Sequence, residues 1–335
     1  MQFHQNISLK ELHTFGVEVK AKLLAEITSE DEIIELFESP EFKKNNWLIL
    51  GEGSDILFTK DFDGLIIKDN IKGIDQVYEN EKSVWVKVSS GENWHSFVGY
   101  CVNKNWGGIE NLALIPGTVG ASPIQNIGAY GAEVKDSIHS LEVINLKNGK
   151  QEIFLNDECD FGYRWSIFKE AKNKGKYYIS SVTFQLTKNP IPNLKYKDVE
   201  EEITQDEPTI ADVFHAVVSI RKRKLPDYVE TGNAGSFFKN PYISISQYTM
   251  LKESFPDLKG FAEEDRVKLP AAQLIDLCGW KGVVEKQVGV YQNQALVLCN
   301  YGGAKGKDIL EFSRKIQDSV KEKFDVEIIP EVNIY

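Results

Sequence analysis

The chain has 335 residues, of which 42% are hydrophobic and 27% are charged, and this composition excludes a disordered or fibrous protein. At about 100–200 residues per domain, its length predicts two or three domains. Fifty acidic against 39 basic side chains give a net charge of −11, so we expect no nucleic-acid partner. An anionic substrate would require a local cluster of basic residues.

Neither a metal site nor a membrane segment is predicted. The four cysteines form no C-x-x-C pair and the five histidines show no ligand spacing. Scattered thiols in a chain of this length are typical of the reducing cytoplasm. The opening MQFHQNISLK lacks the pattern of a signal peptide, and no apolar run approaches about 18 residues. We therefore expect a soluble, cytoplasmic protein.

Short strands and amphipathic helices alternate along the chain, which predicts an α+β fold with boundaries near residues 70 and 225. Strands are predicted at 46–50, 56–58, 64–68, 83–89, 140–146, 177–187, 294–299 and, less regularly, 326–335. Helices are predicted at 93–103, 209–224, 270–278 and 308–324. Thr209 and Asp212 form a capping box. His95 lies off the apolar stripe of its helix and is interpreted as a surface residue.

The helix at 209–224 ends in the densest basic run of this acidic chain, Arg221-Lys222-Arg223-Lys224. Cations in a last turn complement the helix dipole. This role explains the presence of Lys222 and Arg223. It explains the presence of Arg221 and Lys224 less completely.

Two segments are candidate ligand-binding loops. Residues 51–55, GEGSD, form a glycine turn whose backbone N–H groups can hold a phosphate, although the third glycine of the dinucleotide fingerprint is missing. From its residues alone, a plain β-turn is favoured there. Residues 115–131 contain small residues, hydroxyls and amides with almost no charge, so the backbone can approach a flat or phosphorylated ligand closely. A cofactor loop is favoured there, because plain loops of this length are uncommon.

Two further segments carry candidate catalytic groups. In YRWS at 163–166, Arg164 is either stacked on its aromatic neighbours or a fixed cation for a carboxylate. In 231–241, two phenylalanines anchor a glycine-rich turn that holds Ser236, and the alternative is a tight turn with a capping serine. A serine nucleophile is disfavoured, because no G-x-S-x-G elbow is present.

Seven stretches in order make residues 9–332 resemble the UDP-N-acetylenolpyruvoylglucosamine reductase (UDP-N-acetylmuramate dehydrogenase) family. They are HTFGV at 13–17, GEGSDILF at 51–58, IPGTVGASPIQNIGAYG at 115–131, YRWS at 163–166, GNAGSFFKNP at 232–241, PAAQLID at 270–276 and PEV at 330–332. Tyr196, in LKYKD, resembles the substrate-contacting tyrosine of the longer, type I subgroup.

The resemblance implies an FAD-binding part of two α+β subdomains, of the vanillyl-alcohol-oxidase (PCMH) type, and a separate α+β substrate-binding domain. With the boundaries above, these are 1–70 with 326–335 returning to it, 71–224, and 225–325. Non-covalent FAD is expected to be bound by Gly51, Gly53, Ser54, Asp55, Pro116, Gly117, Thr118, Gly120, Ala121, Gln125, Asn126, Gly128, Ala129 and Tyr130.

The implied reaction transfers hydride from NADPH to FAD and then to UDP-N-acetylglucosamine enolpyruvate, giving UDP-N-acetylmuramate for peptidoglycan synthesis. Arg164 and Glu331 match family groups that stabilise the enolate, and Ser236 matches the proton donor, which Lys224 or Lys239 could activate. Substrate is expected to contact Tyr196, Lys224, Asn240 and Gln294. A monomer or weak oligomer is expected.

At two positions the chain departs from the family pattern. Asp55 stands where the family commonly has asparagine, which places a negative charge near the expected FAD phosphates. Asn333 stands where a basic residue often follows Glu331-Val332, which calls the substrate-carboxylate contacts there into question.

Two other functions are compatible with parts of the pattern. A dioxygen-using flavin oxidase would need no sugar-nucleotide site and often carries a covalent flavin on histidine or cysteine, but 115–131 contains no histidine. A non-catalytic nucleotide-binding protein would be expected to lose Arg164, Ser236 or Glu331, and all three are present.

Overall fold

The computed structural model describes residues 1–335, and its mixed helices and strands form an α+β fold. The strands are β1 (Phe3–Ser8), β2 (Lys20–Ile27), β3 (Asn46–Leu50), β4 (Ile56–Leu57), β5 (Phe62–Asp69), β6 (Ile74–Glu79), β7 (Ser83–Ser89), β8 (Gly128–Ala129), β9 (Ala132–Glu133), β10 (Ile138–Asn145), β11 (Gln151–Leu155), β12 (Tyr177–Thr187), β13 (Gly232–Ser236), β14 (Tyr242–Ser244), β15 (Phe261–Glu263), β16 (Arg266–Lys268), β17 (Val284–Glu285), β18 (Val288–Val290), β19 (Val297–Asn300) and β20 (Asn333–Ile334). The helices are α1 (Glu30–Glu38), α2 (Pro40–Lys44), α3 (Trp94–Asn103), α4 (Lys197–Glu202), α5 (Ile210–Lys224), α6 (Ile245–Ser254), α7 (Ala271–Leu277) and α8 (Gly306–Phe324). No helix is both long enough and apolar enough to cross a bilayer.

Elements with a regular apolar period form where the sequence predicts them. Strands β3, β7 and β12 match the predicted bounds, and helices α3, α5, α7 and α8 are confirmed to within two residues. The predicted capping box at α5 is also confirmed. The backbone N–H of Thr209 donates to Asp212 Oδ2 at 2.8 Å, and the N–H of Asp212 donates to Thr209 Oγ1 at 3.4 Å.

Two strand predictions near the C-terminal end are wrong in extent. Strand β19 begins only at Val297, because the Val297 N–H closes a turn onto the carbonyl of Gln294 at 3.1 Å. The predicted extended segment 326–335 contains only the two-residue strand β20 and an isolated bridge between Phe238 and Pro330. A proline lacks the N–H that a continuous ladder would require.

The chain divides into two compact units. Unit 1 comprises Met1–Asn6, Lys22–Glu52 and Asp63–Arg221. Its larger sheet has the order β11-β10-β12-β7-β6 with antiparallel neighbours, and helices α3 and α5 pack their apolar faces on it. Apolar residues of α1 and of strands β2 and β5 form a second core.

Unit 2 comprises Ile7–Ala21, Gly53–Phe62 and Lys222–Tyr335. Its sheet β13-β19-β18-β17 is accompanied by a three-stranded sheet, β14-β16-β15, and by the parallel pair β20-β4. The predicted face of α8 is confirmed, since Ile309, Phe312, Ile316 and Val320 are all buried.

His13, in the HTFGV stretch of unit 2, is buried as a neutral imidazole. Its Nε2 lies 3.0 Å from the carbonyl oxygen of Val17 and therefore carries the proton, whereas its Nδ1 has no hydrogen-bond partner. The ring meets Phe58 edge-on at 5.3 Å between centroids. Burial lowers the pKa of His13, and the bond to Val17 only partly opposes this effect.

We expect His13 to make the folded state sensitive to acid. The unfolded chain binds a proton near pH 6.5, whereas the folded chain does so only at lower pH, so the free energy of unfolding falls as the pH drops below about 6.5. Urea titrations between pH 5 and 8 measure this slope. His13→Gln, which can retain the donor to Val17, should flatten it, while His4→Gln at an exposed site should not. An unchanged slope in His13→Gln would contradict the assignment.

Candidate functional site

The 115–131 loop in unit 1 lies against the backbone that joins β7 to α3. The N–H groups of Val119 and Gly120 donate to the carbonyls of Glu92 and Ser90 at 2.9 and 2.8 Å. A Cβ atom on Gly120 would lie 2.6 Å from Ser90 Cβ, so only glycine allows this approach. Gly120 therefore has a structural purpose in addition to the expected ligand.

Glu52, the acidic residue within the GEGSD turn, is bound by two amide groups. Its Oε2 accepts the N–H of Gly117 at 2.8 Å, and its Oε1 accepts from the Asn93 side chain, which also caps α3. Gly51 lies equally close, since a Cβ atom there would be 2.7 Å from Thr118 Oγ1. These contacts bring Gly51 and Glu52 to the start of the 115–131 loop.

Two amide side chains of the loop differ in whether the protein satisfies them. Asn126 is fully buried and donates to the Gly162 carbonyl and to Glu133 Oε2 at 2.9 and 3.0 Å, so it ties the loop to two neighbouring segments. Gln125 Oε1 is buried and has no hydrogen-bond partner. An orphaned acceptor is costly unless a ligand donates to it. The N–H groups of a flavin meet that requirement, so the loop fits the expected FAD.

Arg164 occupies the turn of YRWS, as predicted, with a left-handed φ of 52°. Its Nη2 donates to the carbonyl of Gly128 at 2.8 Å, and its guanidinium carbon lies 5.3 Å from the centre of the Tyr163 ring. Ser166 Oγ donates to the carbonyl of Ile124 at 2.6 Å. The turn is therefore fastened to the 115–131 loop at two points.

Arg221, for which the sequence predicted no contact, binds residues at both ends of the 115–131 loop. Its Nε donates to the carbonyl of Leu114 at 3.2 Å, and its side chain is hydrogen-bonded to the Tyr130 hydroxyl. Tyr130 in turn meets Tyr196 edge-on at 5.2 Å between centroids. Burial lowers the pKa of Arg221, but an arginine remains charged at neutral pH. The structure thus brings together two predicted site tyrosines and a cation that has no carboxylate partner.

Gly53, in unit 2, is required by close backbone packing. Its φ is 64°, and a Cβ atom there would lie 2.6 Å from His13 Cα and closer still to the Leu12 carbonyl oxygen. The N–H of Thr14 donates to the Gly53 carbonyl at 3.0 Å. The HTFGV stretch therefore packs directly on the GEGSD turn.

We expect Gly53→Ala to destabilise unit 2 by about 3 kcal/mol or more, because the methyl group meets backbone that cannot move away. Gly16→Ala is a matched control, since Gly16 has a similar φ of 59° but open space around it. That variant should lose only the conformational cost, about 1–2 kcal/mol. Urea unfolding measures both free energies, and equal losses would contradict the steric argument.

The two departures from the family pattern, Asp55 and Asn333, contact each other. Asn333 Nδ2 donates to Asp55 Oδ2 at 3.1 Å and to the Asp55 carbonyl at 3.0 Å. The N–H of Asn333 donates to the same carbonyl at 3.1 Å. One face of the Asp55 carboxylate is therefore occupied by this amide.

Ser236 and Glu331, the two predicted catalytic residues of unit 2, lie on adjoining backbone. Ser236 is exposed at the end of β13, and the next residue, Phe237, is fully buried. The N–H of Glu331 donates to the carbonyl of Phe237 at 2.8 Å, and the backbone N–H of Lys239 donates to the carbonyl of Ile329 at 3.0 Å. This pairing holds the backbone segments that carry Ser236 and Glu331 against each other.

Two of the remaining predicted residues of unit 2 accept hydrogen bonds from backbone N–H groups. Asn240 Oδ1 accepts the N–H of Ala271 at the start of α7, at 2.9 Å, and Gln294 Oε1 accepts the N–H of Leu296 at 3.4 Å. Lys224 is the last residue of α5, and Ser54 follows Gly53 in the turn.

Asn233, which the sequence did not single out, shapes the Ser236 loop. It is buried, donates to the carbonyls of Pro226 and Thr231 at 3.2 and 2.9 Å, and accepts the N–H of Gly235 at 2.9 Å. In the sequence, only the position of this asparagine between Gly232 and Gly235 indicates that role.

Comparisons with known proteins identify the parts of the chain. Residues 21–154 match the family model described as FAD binding domain, and residues 227–335 match the C-terminal domain of UDP-N-acetylenolpyruvoylglucosamine reductase. The reductase of Flavobacterium johnsoniae is 44% identical and covers 100% of both chains. The reductase of Burkholderia ambifaria is 46% identical over 95% of this chain and 93% of its own.

Solved structures support the same fold. The UDP-N-acetylenolpyruvylglucosamine reductase of Thermus caldophilus superposes with a TM-score of 0.71 at 22% identity, covering 100% of this chain and 99% of its own. A solvent-stable cholesterol oxidase superposes with a TM-score of 0.51 at 9% identity, covering 98% of this chain and 86% of its own. The fold is thus that of an FAD-binding domain of the PCMH type joined to a reductase C-terminal domain. The chain is an FAD-binding oxidoreductase that belongs to the UDP-N-acetylenolpyruvoylglucosamine reductase family.

Proposed function

We propose that the chain uses NADPH to reduce the enolpyruvyl group of UDP-N-acetylglucosamine enolpyruvate, giving UDP-N-acetylmuramate for peptidoglycan. The observation that carries this proposal is the backbone pairing of Glu331 with Phe237, the residue that follows exposed Ser236. A hydroxyl and a carboxyl group carried on adjoining backbone segments suit protonation of an enolate, and an oxidase that uses dioxygen has no need of the two together.

The FAD site that we propose is formed by the GEGSD turn and the 115–131 loop. Within the second, Gln125 Oε1 would accept from a flavin N–H group, and the uncharged lining avoids unpaired charge beside an apolar ring system. When bound, FAD carries hydride from NADPH to the substrate. We propose that the two FAD-binding subdomains are 1–70 with 326–335 and 71–224, and that 225–325 binds the substrate.

Three side chains would act on the enolpyruvyl group. Hydride addition to its methylene carbon leaves an electron pair on the neighbouring carbon, conjugated with the carboxylate. Arg164, held by the Gly128 carbonyl, would stabilise that charge, and Glu331 would assist. Ser236 would then donate its proton to the carbon, and Lys224 or Lys239 would stabilise the resulting alkoxide.

Lys224 is also proposed to bind the substrate diphosphate, together with Tyr196, Asn240 and Gln294. We therefore expect Lys224→Ala to raise the KM for the UDP substrate more than it lowers kcat, because the contact exists in both ground and transition states. Steady-state kinetics at saturating NADPH measure the two constants. Lys222→Ala, at an exposed position in the same basic run, is the control. An unchanged KM for Lys224→Ala would refute the diphosphate contact.

Anaerobic stopped-flow spectroscopy of the flavin band tests the function as a whole. NADPH should bleach the band, and the enolpyruvyl substrate should restore it without oxygen. Recovery only on admission of air would favour an oxidase. A failure to bleach with NADPH would refute the proposed donor.

A further inference from the structure

Leu114 stands immediately before the 115–131 loop in an unfavourable conformation. Its φ is 57°, in the left-handed region that leucine rarely adopts. A residue keeps such a backbone only when its surroundings hold it there. Two side chains from different helices provide that restraint at Leu114.

Each peptide group of Leu114 is bound by one of these side chains. Its N–H donates to Nδ1 of His95, on α3, at 3.0 Å. Its carbonyl accepts from Nε of Arg221, on α5, at 3.2 Å. Because Arg221 also binds the Tyr130 hydroxyl, it contacts residues at both ends of the loop.

His95 is oriented for this contact and is not the surface residue that the sequence predicts. Its ring is half-buried and stacks on Phe214 of α5, with 5.4 Å between centroids and 7° between planes. Acceptance at Nδ1 places the proton of the neutral ring on Nε2. The stacking fixes the ring plane so that Nδ1 faces the Leu114 N–H.

We propose that His95 is a positioning residue for FAD, which fixes the start of the 115–131 loop by accepting the Leu114 hydrogen bond. The inference rests on the proposed function of that loop in holding FAD, but His95 itself need not touch the cofactor. Without the acceptor, the Leu114 N–H is left unsatisfied, so the strained conformation loses its restraint and the loop spends less time in the binding form.

Two substitutions separate the hydrogen bond from the stacking. His95→Phe retains a ring against Phe214 but removes the acceptor, whereas His95→Asn retains an acceptor near the Nδ1 position but removes the ring. We expect His95→Phe to raise the Kd of the apoprotein for FAD about tenfold, the value of one hydrogen bond, and His95→Asn to stay within about threefold. His215→Asn, exposed on α5, is the matched control. Quenching of FAD fluorescence by the apoprotein measures each Kd.

Leu114→Gly, combined with His95→Phe, provides a second test. Glycine adopts a positive φ without strain, so Leu114→Gly in the His95→Phe background should recover most of the lost affinity. If His95→Phe binds FAD as tightly as the natural chain, or if His95→Asn is weakened equally, the inference is wrong although the loop still binds FAD. If the natural apoprotein binds no FAD, the proposed function of the loop fails instead. If His95→Phe does not fold, His95→Asn carries the test. A Kd for FAD within about threefold of the natural chain supports the inference, and a rise of about tenfold overturns it.

Discussion

Replacing Ser236 by alanine is expected to slow the oxidation of reduced flavin by the enolpyruvyl substrate about 10²–10⁴-fold, while flavin reduction by NADPH stays unchanged. The substitution removes only a hydroxyl group at an exposed position, since the loop is held by buried Phe237 and by the bond from Glu331. The loss should therefore fall on protonation alone. Anaerobic stopped-flow measurement of the two half-reactions separates the rates.

Ser246→Ala, which removes another exposed hydroxyl in unit 2, is the control for this experiment. It should leave both half-reactions as they are. If Ser236→Ala slows both half-reactions equally, Ser236 is not the proton donor and its loop has a structural role.

Arg164→Lys is expected to reduce the rate of substrate reduction about 10²–10³-fold, although the positive charge is kept. The guanidinium is planar and is oriented by the Gly128 carbonyl, whereas an ammonium group is a compact point charge on a flexible chain. Charge in the wrong place stabilises the developing enolate poorly. The rate of flavin reduction by NADPH should change little, and the same two half-reactions measure this.

Arg266→Lys provides a matched control, because Arg266 also lies against a tyrosine ring, 4.1 Å from the centre of Tyr242, but is exposed in the small sheet of unit 2. It should behave like the natural chain. Full activity in Arg164→Lys would show that charge without orientation is sufficient, and the enolate role of the guanidinium geometry would be refuted.

The strands and helices with a regular period were predictable because each is determined by its own residues. Val84, Val86 and Val88 alternate along β7 and all three are fully buried. Thr209 and Asp212 cap α5 across a single turn. Such contacts are local, so the sequence pattern alone is sufficient to predict them.

The hydrogen bonds from Leu114 to His95 and Arg221 were not predictable, because they join residues that are far apart in the sequence. Arg221 and Leu114 are 107 positions apart, and their contact depends on a left-handed turn at a leucine, which nothing in the sequence signals. His95 was misinterpreted because its position relative to the apolar stripe of α3 says nothing about what α5 presents to it. Motif resemblance identified the loop itself but not the side chains that hold its ends.

The mutual contact of Asp55 and Asn333 makes these two positions epistatic. Asn333 uses both the carbonyl and the carboxylate of Asp55, so changing either residue alters the partner of the other. A chimaera that places a basic residue at position 333 in this background would form an ion pair with Asp55. A relative that has asparagine at position 55 cannot form that ion pair. The effect of a single substitution measured in such a relative therefore does not apply to this chain. Residues 55 and 333 have to be exchanged together.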